Sequence, residues 1–247
     1  MLKMISTELK KQLKKDYPFR IEMHAHTKPV SWCSEILPEE MAQTYRGKGY
    51  DAVCITNHFI GGDYLGEGTK EEKIKRYLAG YEETAKCAEK YNLKVYLGVE
   101  IRFQNENIND YLIFGADKDT VSECYDYLEG TLCEFRKNVN LDRSVFVQAH
   151  PFRDAMELAA PELLDGIEIF NMHPGHNGRL GFAARYAKEK GLKINTVGSD
   201  FHHKNRGHEG VSALRTRTLP KDSFELAEIL KSGDYLFEIG ENSIVLP

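Results

Sequence analysis

Two histidines, His24 and His26, close an alternating run of apolar and polar residues that begins at Phe19. Alternate residues of a β-strand point to the same face, so both imidazoles can reach one point in space. Neutral imidazole is the commonest protein ligand for a divalent metal ion. A His-x-His pair alone is weak evidence for a metal site, because many surface strands carry one by chance. Its meaning depends on what the other strands supply.

Further metal-ligand types recur at the ends of the later strand-like segments. They are His58, Glu100, His150, Asp200 and His202. Each has a plainer explanation by itself: a histidine can face solvent, Glu100 can pair with Arg102, and Asp200 can cap a following helix. A buried cluster of imidazoles and carboxylates without cations would suffer large desolvation and repulsion penalties. The set as a whole therefore predicts a metal centre.

The size of this set indicates more than one ion, because it exceeds what a single tetrahedral site can use. Glu100, with two carboxylate oxygens, suits a position between two ions. Two ions a few ångströms apart can activate a water and hold both the attacking and the leaving oxygen of a phosphoryl transfer. No Ser-His-Asp or Cys-His arrangement is needed for that chemistry. We therefore expect two or three divalent ions.

Segments rich in β-branched and aromatic residues position these side chains. The strands are predicted at Phe19–His26, Asp51–His58, Lys94–Phe103, Asp110–Ala116, Ser144–His150, Gly166–Asn171 and Lys193–Asp200. Helices are predicted at Pro38–Lys48, Glu71–Tyr91, Thr120–Val139, Arg179–Lys190 and Lys221–Ser232. Only 104–109 separates the third and fourth strands, which predicts a hairpin or a very short connection. The alternation favours a parallel α/β sheet, either a barrel or a doubly wound sheet. No glycine-rich nucleotide-binding motif follows any strand, which weakens the second option.

The composition suits one fairly large domain over 1–247. Hydrophobic residues make up 41% and charged residues 29%, as in ordinary soluble globular proteins, and no window is apolar enough for a membrane span. The formal net charge of −5 argues against broad nucleic-acid binding, so an extended nucleic acid is not the expected partner.

The cysteines and the N-terminal segment favour a cytoplasmic location. Five widely spaced cysteines without a C-x-x-C pair are typical of a reduced compartment. Met1–Lys15 has no apolar core followed by small residues, so it does not resemble a secretory signal. Ile5, Leu9 and Leu13 instead fall on one face among lysines, which predicts a short amphipathic helix packed on the barrel.

Together these motifs resemble the PHP (polymerase and histidinol phosphatase) superfamily of metal-dependent phosphoesterases. The resemblance extends from His24 to about His208 and covers nearly the whole chain. The motifs are His24-Ala25-His26-Thr27, Thr56-Asn57-His58, Gly98-Val99-Glu100, His150-Pro151 and Gly198-Ser199-Asp200-Phe201-His202. As an ordered set they are highly specific.

The resemblance implies a distorted seven-stranded (β/α)7 barrel with three metal ions at the carboxyl ends of its strands. Carried over by position, the ligands are His24, His26, Glu100 and Asp200 for one ion, Glu100 and His150 for a second, and His58 and His202 for a third. Zinc, manganese or iron is usual in the superfamily. A metal-bridging hydroxide attacks phosphorus while the ions neutralise the charge that develops, so Glu100 and Asp200 are expected to be catalytic.

The chain departs from the superfamily pattern in three places. Where a further histidine is common, about eight residues after the first, this chain has Trp32 and Cys33. The third ion is therefore weakly held, absent, or completed by another residue such as Cys33 or His208. Asn57 stands where aspartate usually precedes the second-strand histidine. On the fourth strand many members have a histidine ligand for the second ion, and we expect Asp110 to take that place unless it only caps the strand.

A phosphorylated substrate needs cations or backbone donors besides the metal ions. The candidates near strand ends are Lys28, Arg102, Arg153, Arg179 and Arg206. Arg153 and Arg206 are closest in sequence to predicted ligands, although each of the five can also be an ordinary surface residue. His173, in the loop after the sixth strand, can orient a substrate or protonate its leaving group. A loop shaped by proline and glycine with surface histidines is the plainer explanation.

These expectations favour a cytoplasmic, metal-dependent phosphatase of histidinol-phosphatase type that hydrolyses a small-molecule phosphate monoester. A phosphodiesterase or nuclease acting on short oligonucleotides or nucleotide bisphosphates is the alternative. An amidohydrolase is less favoured, because that class usually adds a metal-bridging lysine and none ends the third to fifth strands. A metal-binding module without catalysis is disfavoured by the nearly complete ligand set. The oligomeric state is left open.

Overall fold

The computed structural model describes residues 6–240, 243–245 and 247. The helices are α1 (Ser6–Asp16), α2 (Pro38–Gly47), α3 (Lys70–Glu89), α4 (Lys118–Tyr125), α5 (Leu132–Asn138), α6 (Leu180–Lys190) and α7 (Ser223–Ser232). The strands are β1 (Phe19–Ala25), β2 (Ala52–Ile55), β3 (His58–Ile60), β4 (Lys94–Arg102), β5 (Tyr111–Phe114), β6 (Val145–Gln148), β7 (Gly166–Asn171), β8 (Ile194–Gly198), β9 (Ser212–Thr216), β10 (Leu236–Ile239) and β11 (Ser243–Val245).

The strands form one curled sheet in the order β11-β10-β9-β1-β2-β4-β5-β6-β7-β8, with β3 paired to β4 beside β2. Beyond β8 the chain returns to β1, where Ala25 and Phe201 form a parallel bridge. The backbone N–H of His26 donates to the carbonyl of Phe201 at 3.1 Å, and the N–H of Phe201 donates to that of His24 at 3.3 Å. The fold is therefore α/β, with a sheet curled in a manner consistent with a distorted barrel.

Every predicted strand has a counterpart, but the alternation of strand and helix is irregular. The predicted second strand is divided into β2 and β3 by Thr56 and Asn57. β5 runs antiparallel to both β4 and β6, as the short connection before it allowed. β9, β10 and β11 extend the sheet with antiparallel pairs on the other side of β1 and were not predicted.

The helices follow the sequence signals except in one segment. Thr69 caps α3 through a reciprocal pair in which its hydroxyl accepts from the Glu72 N–H and its own N–H donates to the Glu72 carboxylate. The single helix predicted over Thr120–Val139 is wrong, because α4 and α5 are separate. A turn at Gly130 and a second capping pair, Thr131 with Glu134, begin the new helix.

The N-terminal amphipathic segment forms α1 in its described part, and residues 1–5 lie outside the described residues. No residue of α1 is buried, and Leu9 remains 47% exposed. Lys14 pairs with Glu238 of β10 at 2.7 Å, which attaches the helix to the antiparallel extension of the sheet. Among the described residues no helix is long and apolar enough to cross a membrane.

Candidate metal centre

A buried carboxylate, Glu100 on β4, is the point on which imidazoles from three parts of the barrel converge. The Nε2 atoms of His24 and His150 each lie 3.3 Å from its Oε1. Nδ1 of His58 lies 2.6 Å from its Oε2, and Nε2 of His26 lies 3.4 Å from the same oxygen. Glu100 is fully buried. Its two oxygens thus face different histidines, which suits a carboxylate shared between ions.

Asp200, just after β8, is the second carboxylate of the cluster. Its Oδ1 lies 3.3 Å from Nε2 of His26 and 3.2 Å from Nδ1 of His202. Its Oδ2 lies 3.2 Å from Nδ1 of His176. Asp200 and His150 both adopt positive φ angles, 53° and 29°. Non-glycine residues rarely adopt such backbone conformations, and those that do concentrate at functional sites.

These contacts sort the ligands into overlapping groups whose ligand atoms lie within 4.8 Å of one another. The groups are His24, His26 and Glu100; His58, Glu100 and Asp110; His150, His176 and Asp200; and His26, His58 and His202. Every residue expected from the sequence to bind metal falls in at least one group. His176 joins them without having been predicted as a ligand, because one histidine in a Pro-Gly loop carries no strand-end signal.

The antiparallel direction of β5 explains how Asp110 reaches the site. The other ligands follow their strands or lie at the ends of them, whereas Asp110 precedes β5. Because β5 runs the opposite way, its start lies at the same end of the barrel as the ends of its neighbours. The Arg102 guanidinium donates two hydrogen bonds to the Asp110 carboxylate, at 2.7 and 2.8 Å. Oδ2 of Asp110 is 3.8 Å from Nε2 of His150.

The residues present fit divalent metal ions. Several buried atoms of the cluster have no hydrogen-bond partner among the described residues, although carboxylate oxygens lie close to some of them. They are Nε2 of His24 and His26, Nδ1 of His58, His150 and His176, and Oε2 of Glu100. Buried polar atoms are almost always partnered, so a convergent set of exceptions needs an explanation. Imidazole nitrogen and carboxylate oxygen are the donors that zinc, manganese and iron accept.

The charges of the cluster also call for cations. Burial raises the pKa of the Glu100 carboxyl, but the adjacent His58 and His24 outweigh it and hold that pKa well below its ordinary range. The pKa of Asp200 is held well below its range in the same way, against burial, by His24 and His202. Burial, followed by the charges of His202 and His58, lowers the pKa of His26 well below its usual value. Two buried carboxylates therefore remain ionised beside positively charged imidazoles, whose charge divalent ions would replace when bound.

Behind these ligands lies Glu168 on β7, which is 1% exposed and was not anticipated from the sequence. Its Oε1 is 2.9 Å from Nδ1 of His24, and its Oε2 accepts from the backbone N–H of His150 and from the Asn171 amide, both at 2.9 Å. Placed on Nδ1, the imidazole proton leaves Nε2 of His24 free to bind a metal ion. Gly198 leaves room for this contact, since a Cβ there would lie 2.3 Å from that of His24.

The departure at Asn57 has a structural explanation. Its side-chain oxygen accepts from the Thr27 N–H at 2.7 Å and from the Ser31 hydroxyl at 2.9 Å. The Ser31 oxygen lies 3.2 Å from Nδ1 of His26 and accepts from the His58 N–H at 3.0 Å. Asn57 therefore supports two histidines through the loop that follows β1.

Five of the candidate ligands line a cavity of about 1050 Å³, namely His58, His150, His176, Asp200 and His202. Two arginines line it, Arg102 and Arg153. Arg102 is held by Asp110, whereas the Arg153 guanidinium has no hydrogen bond or ion pair within the described part of the chain.

The other predicted cations lie outside this cavity. Lys28 and Arg206 are exposed and do not line it. Arg179 donates to the carbonyls of Phe152 and Asn177, at 2.7 and 3.1 Å, and pairs with Asp154, so it joins two loops.

His173 lines the cavity in the loop after β7. Its Nδ1 accepts a hydrogen bond from the Gly175 N–H at 3.0 Å, and its ring lies 4.0 Å from that of His176. Burial lowers its pKa to about 3. The neutral ring therefore carries its proton on Nε2, which makes it a hydrogen-bond donor and a weak source of protons for a leaving group.

The two residues considered for the third ion differ in position. Cys33 lines the cavity beside His58 and His202. Burial raises the pKa of the Cys33 thiol, but the neighbouring His202 and His58 outweigh burial and lower that pKa to about 6. His208 is 2% exposed, and its ring lies against Phe201 and His173 rather than against the carboxylates.

The fold and the cluster define a barrel-like α/β protein with a centre suited to several divalent ions. Residues 22–199 match the PHP domain family, which is well over half of the chain. The chain therefore belongs to the PHP domain family, as its motifs predicted. No curated protein sequence matches it.

Several solved structures share the fold. A two-domain protein from Bacteroides vulgatus ATCC 8482 that contains a predicted PHP-like metal-dependent phosphoesterase aligns with a TM-score of 0.63 and 16% identity over 90% of this chain. The chain spans 65% of that protein, just under two thirds of its length. A protein from Bifidobacterium adolescentis ATCC 15703, assigned as a metal-dependent phosphoesterase, aligns with a TM-score of 0.53 and 17% identity over 85% of this chain and 95% of that one.

An amidohydrolase from Chromobacterium violaceum, solved with bound sulfate and no metal, aligns with a TM-score of 0.50 and 14% identity. The alignment covers 75% of this chain and 88% of that one. At these identities the likenesses concern the fold.

Proposed function

We propose that this protein is a metal-dependent phosphoesterase that hydrolyses a small-molecule phosphate monoester. The observation that carries the proposal is the convergence of buried imidazoles on Glu100 and Asp200. Asp200 and four of the histidines line a cavity with Arg153, whose guanidinium is unpaired within the described residues. Membership of the PHP domain family supports it, as do the names of two structurally similar proteins.

Three groups of side chains would hold the ions. They are His24, His26, Glu100 and Asp200; Glu100, Asp110 and His150, with His176 nearby; and His58 with His202. Divalent ions bound there would lower the pKa of water and neutralise charge on the phosphoryl oxygens. Glu100 would be common to two groups, so its charge affects both.

The remaining steps fall to side chains of the cavity wall. Arg153 would bind the phosphoryl group through its planar fork of N–H donors. Arg102 stays on Asp110 and fixes the direction of that carboxylate. His173, with Nδ1 occupied by Gly175, would donate from Nε2 to a substrate oxygen and orient it. We therefore assign His173 to positioning the substrate.

Two aromatic residues that line the cavity, Trp32 and Tyr64, favour a leaving group with a planar ring. Trp32 is 72% exposed there, and its ring lies 5.8 Å from that of Tyr64. An exposed tryptophan beside a tyrosine offers stacking surface to an aromatic or heterocyclic group. Histidinol phosphate carries such a ring, and so does a nucleotide. A nucleotide or short oligonucleotide with a phosphodiester bond is for this reason the second candidate substrate.

An amidohydrolase activity has less support. Histidines and carboxylates line the cavity, and none of the described residues that line it is a lysine. A metal-bridging lysine is the feature that would have favoured that class. Arg153 at the cavity wall suits a phosphate better than it suits a neutral amide.

The test combines metal analysis with a hydrolysis panel. The protein is loaded separately with zinc, manganese and iron, and assayed on p-nitrophenyl phosphate, its bis-ester, histidinol phosphate, nucleoside monophosphates and short oligonucleotides. We expect monoesters to be hydrolysed faster than diesters, and Glu100→Gln to abolish activity. Hydrolysis of diesters alone would favour the second candidate. Full activity of Glu100→Gln with its metal retained would refute the role given to this carboxylate.

A further inference from the structure

The group formed by His26, His58 and His202 consists of imidazoles alone, whereas each of the other groups includes a carboxylate. Glu100 and Asp200 lie beside it, at 2.6 Å from His58 and 3.2 Å from His202. Nε2 of His58 and Nε2 of His202 are 3.5 Å apart, and the His26 ring lies 4.0 Å from that of His202. Nε2 of His26 is fully buried and has no hydrogen-bond partner among the described residues. Three imidazoles leave the fourth position of a tetrahedral ion open to a further ligand.

Cys33 is a side chain that can fill that position. It lines the same cavity as His58 and His202. A thiolate is a strong ligand for zinc, cobalt and iron, and it completes a site of nitrogen and sulfur donors.

The loop that carries Cys33 is held on both sides of it. On one side the Ser31 oxygen accepts from the His58 N–H at 3.0 Å. On the other side the Ser34 hydroxyl contacts the carbonyls of His26 and His202, at 2.9 and 3.3 Å. These bonds join the loop directly to the three histidines. The thiol is therefore placed by the same residues that would bind the ion with it.

We propose that Cys33 is a metal ligand that, with His58 and His202, forms a nitrogen and sulfur site beside the nitrogen and oxygen sites built on Glu100 and Asp200. The inference rests on the metal binding that the proposed function requires, but not on the reaction. A sulfur ligand makes this site selective for softer ions such as zinc and cobalt over manganese and magnesium. The centre would then hold two chemically different kinds of site.

The experiment uses cobalt as a spectroscopic probe of the whole protein. Metal-free protein is titrated with Co²⁺, and absorption is followed in the near-ultraviolet, where thiolate-to-cobalt charge transfer appears. The wild-type protein is expected to develop this band. Cys33→Ser and Cys33→Ala should lose it and bind one cobalt equivalent more weakly, by at least the roughly 10- to 100-fold that loss of an outer-shell partner costs. Cys133→Ser, which changes another exposed cysteine, is the matched control and should keep the band.

The result is separable from the catalytic proposal. A charge-transfer band in a protein that hydrolyses no phosphate ester would support the sulfur ligand and reject the proposed function. A wild-type protein that binds cobalt without the band would overturn the inference, and so would a band that persists in folded Cys33→Ala. The wild-type spectrum decides even if the variants fail to fold. Circular dichroism establishes which variants are folded.

Discussion

Glu168→Gln tests how a buried carboxylate controls the metal affinity of His24. Glu168 accepts hydrogen bonds through both oxygens, from the His24 ring on one and from His150 and Asn171 on the other. Glutamine keeps the shape but has a single oxygen, so its NH₂ group must face one of these donors. On either side, the NH₂ group then faces a group that is itself a hydrogen-bond donor.

The structure indicates which conflict prevails. An NH₂ group toward His150 and Asn171 leaves two buried donors unpaired, at about 1–3 kcal/mol each. If the NH₂ group instead faces His24, the ring proton of His24 must move from Nδ1 to Nε2, the atom that faces Glu100. The second arrangement costs less free energy in the metal-free protein. It also removes His24 as a ligand, because a protonated Nε2 cannot bind a metal ion. We expect metal affinity to fall about 10- to 100-fold, which corresponds to about 1.4–2.8 kcal/mol.

The measurement is a titration of metal-free protein with zinc in competition with a chromophoric chelator. Glu189→Gln is the control, because Glu189 is exposed and pairs with Arg185 one helical turn away. We expect it to bind zinc as the wild type does. Glu168→Gln that is folded and binds zinc within about threefold of the wild type would refute the reasoning that the proton on Nδ1 is set by Glu168.

Three further predictions concern the cavity, the ions and the antiparallel extension. Arg153→Gln should raise KM for a phosphate monoester about 10-fold or more with little change in metal content. Replacing the exposed Arg206 by Gln should change neither quantity, and equal effects of the two substitutions would contradict the assignment of Arg153. Removal of the ions with a chelator should lower the Tm, since an ion at 100 times its Kd adds about 2.7 kcal/mol, and an unchanged Tm would mean that the ions do not stabilise the fold. Glu238→Gln should cost about 3 kcal/mol at neutral pH, because it leaves the buried Arg215 without a negatively charged partner. Although burial raises the pKa of Glu238, Lys14 and Arg215 lower it below its ordinary value of 4.5. The stabilisation by Glu238 is therefore present above that pH and lost as pH falls. The difference in Tm between the Glu238→Gln variant and the wild type should shrink between about pH 6 and about pH 3. A difference that stays constant with pH would exclude the ion pair as its source.

Much of this site could be predicted from the sequence because strand ends have a fixed geometry. The alternation of residues places His24 and His26 on one face, and parallel strands bring Glu100 and His150 to the same end of the barrel. Asp110 was anticipated only through the resemblance to known proteins. Its place follows from the reversed direction of β5, which the short connection before that strand allowed but did not require.

The supporting residues were not predicted from the sequence, because their partners are distant in sequence. Glu168 contacts a histidine 144 positions away, and nothing near it in the chain indicates that contact. A signal did exist, since it is a lone carboxylate within the buried strand Gly166–Asn171. A charged side chain in such a strand is nearly always paired. The strands β9 and β10 were missed for a related reason, because short segments with mixed composition take their structure from the strands they pair with.

The curled sheet and the candidate metal centre are held together by the same buried carboxylates. Glu22 on β1 accepts from the His24 N–H at 3.0 Å and from the Ser199 N–H at 2.9 Å, so one oxygen joins β1 to the chain beyond β8. Glu168 joins the His24 side chain to β7 and to His150 after β6. The ligands are therefore fixed by bonds that also hold the two ends of the curled sheet together. It follows that ions bound at the centre would stabilise the closure between β1 and β8 most directly, and that hydrogen exchange at the Ser199 amide should slow when they bind.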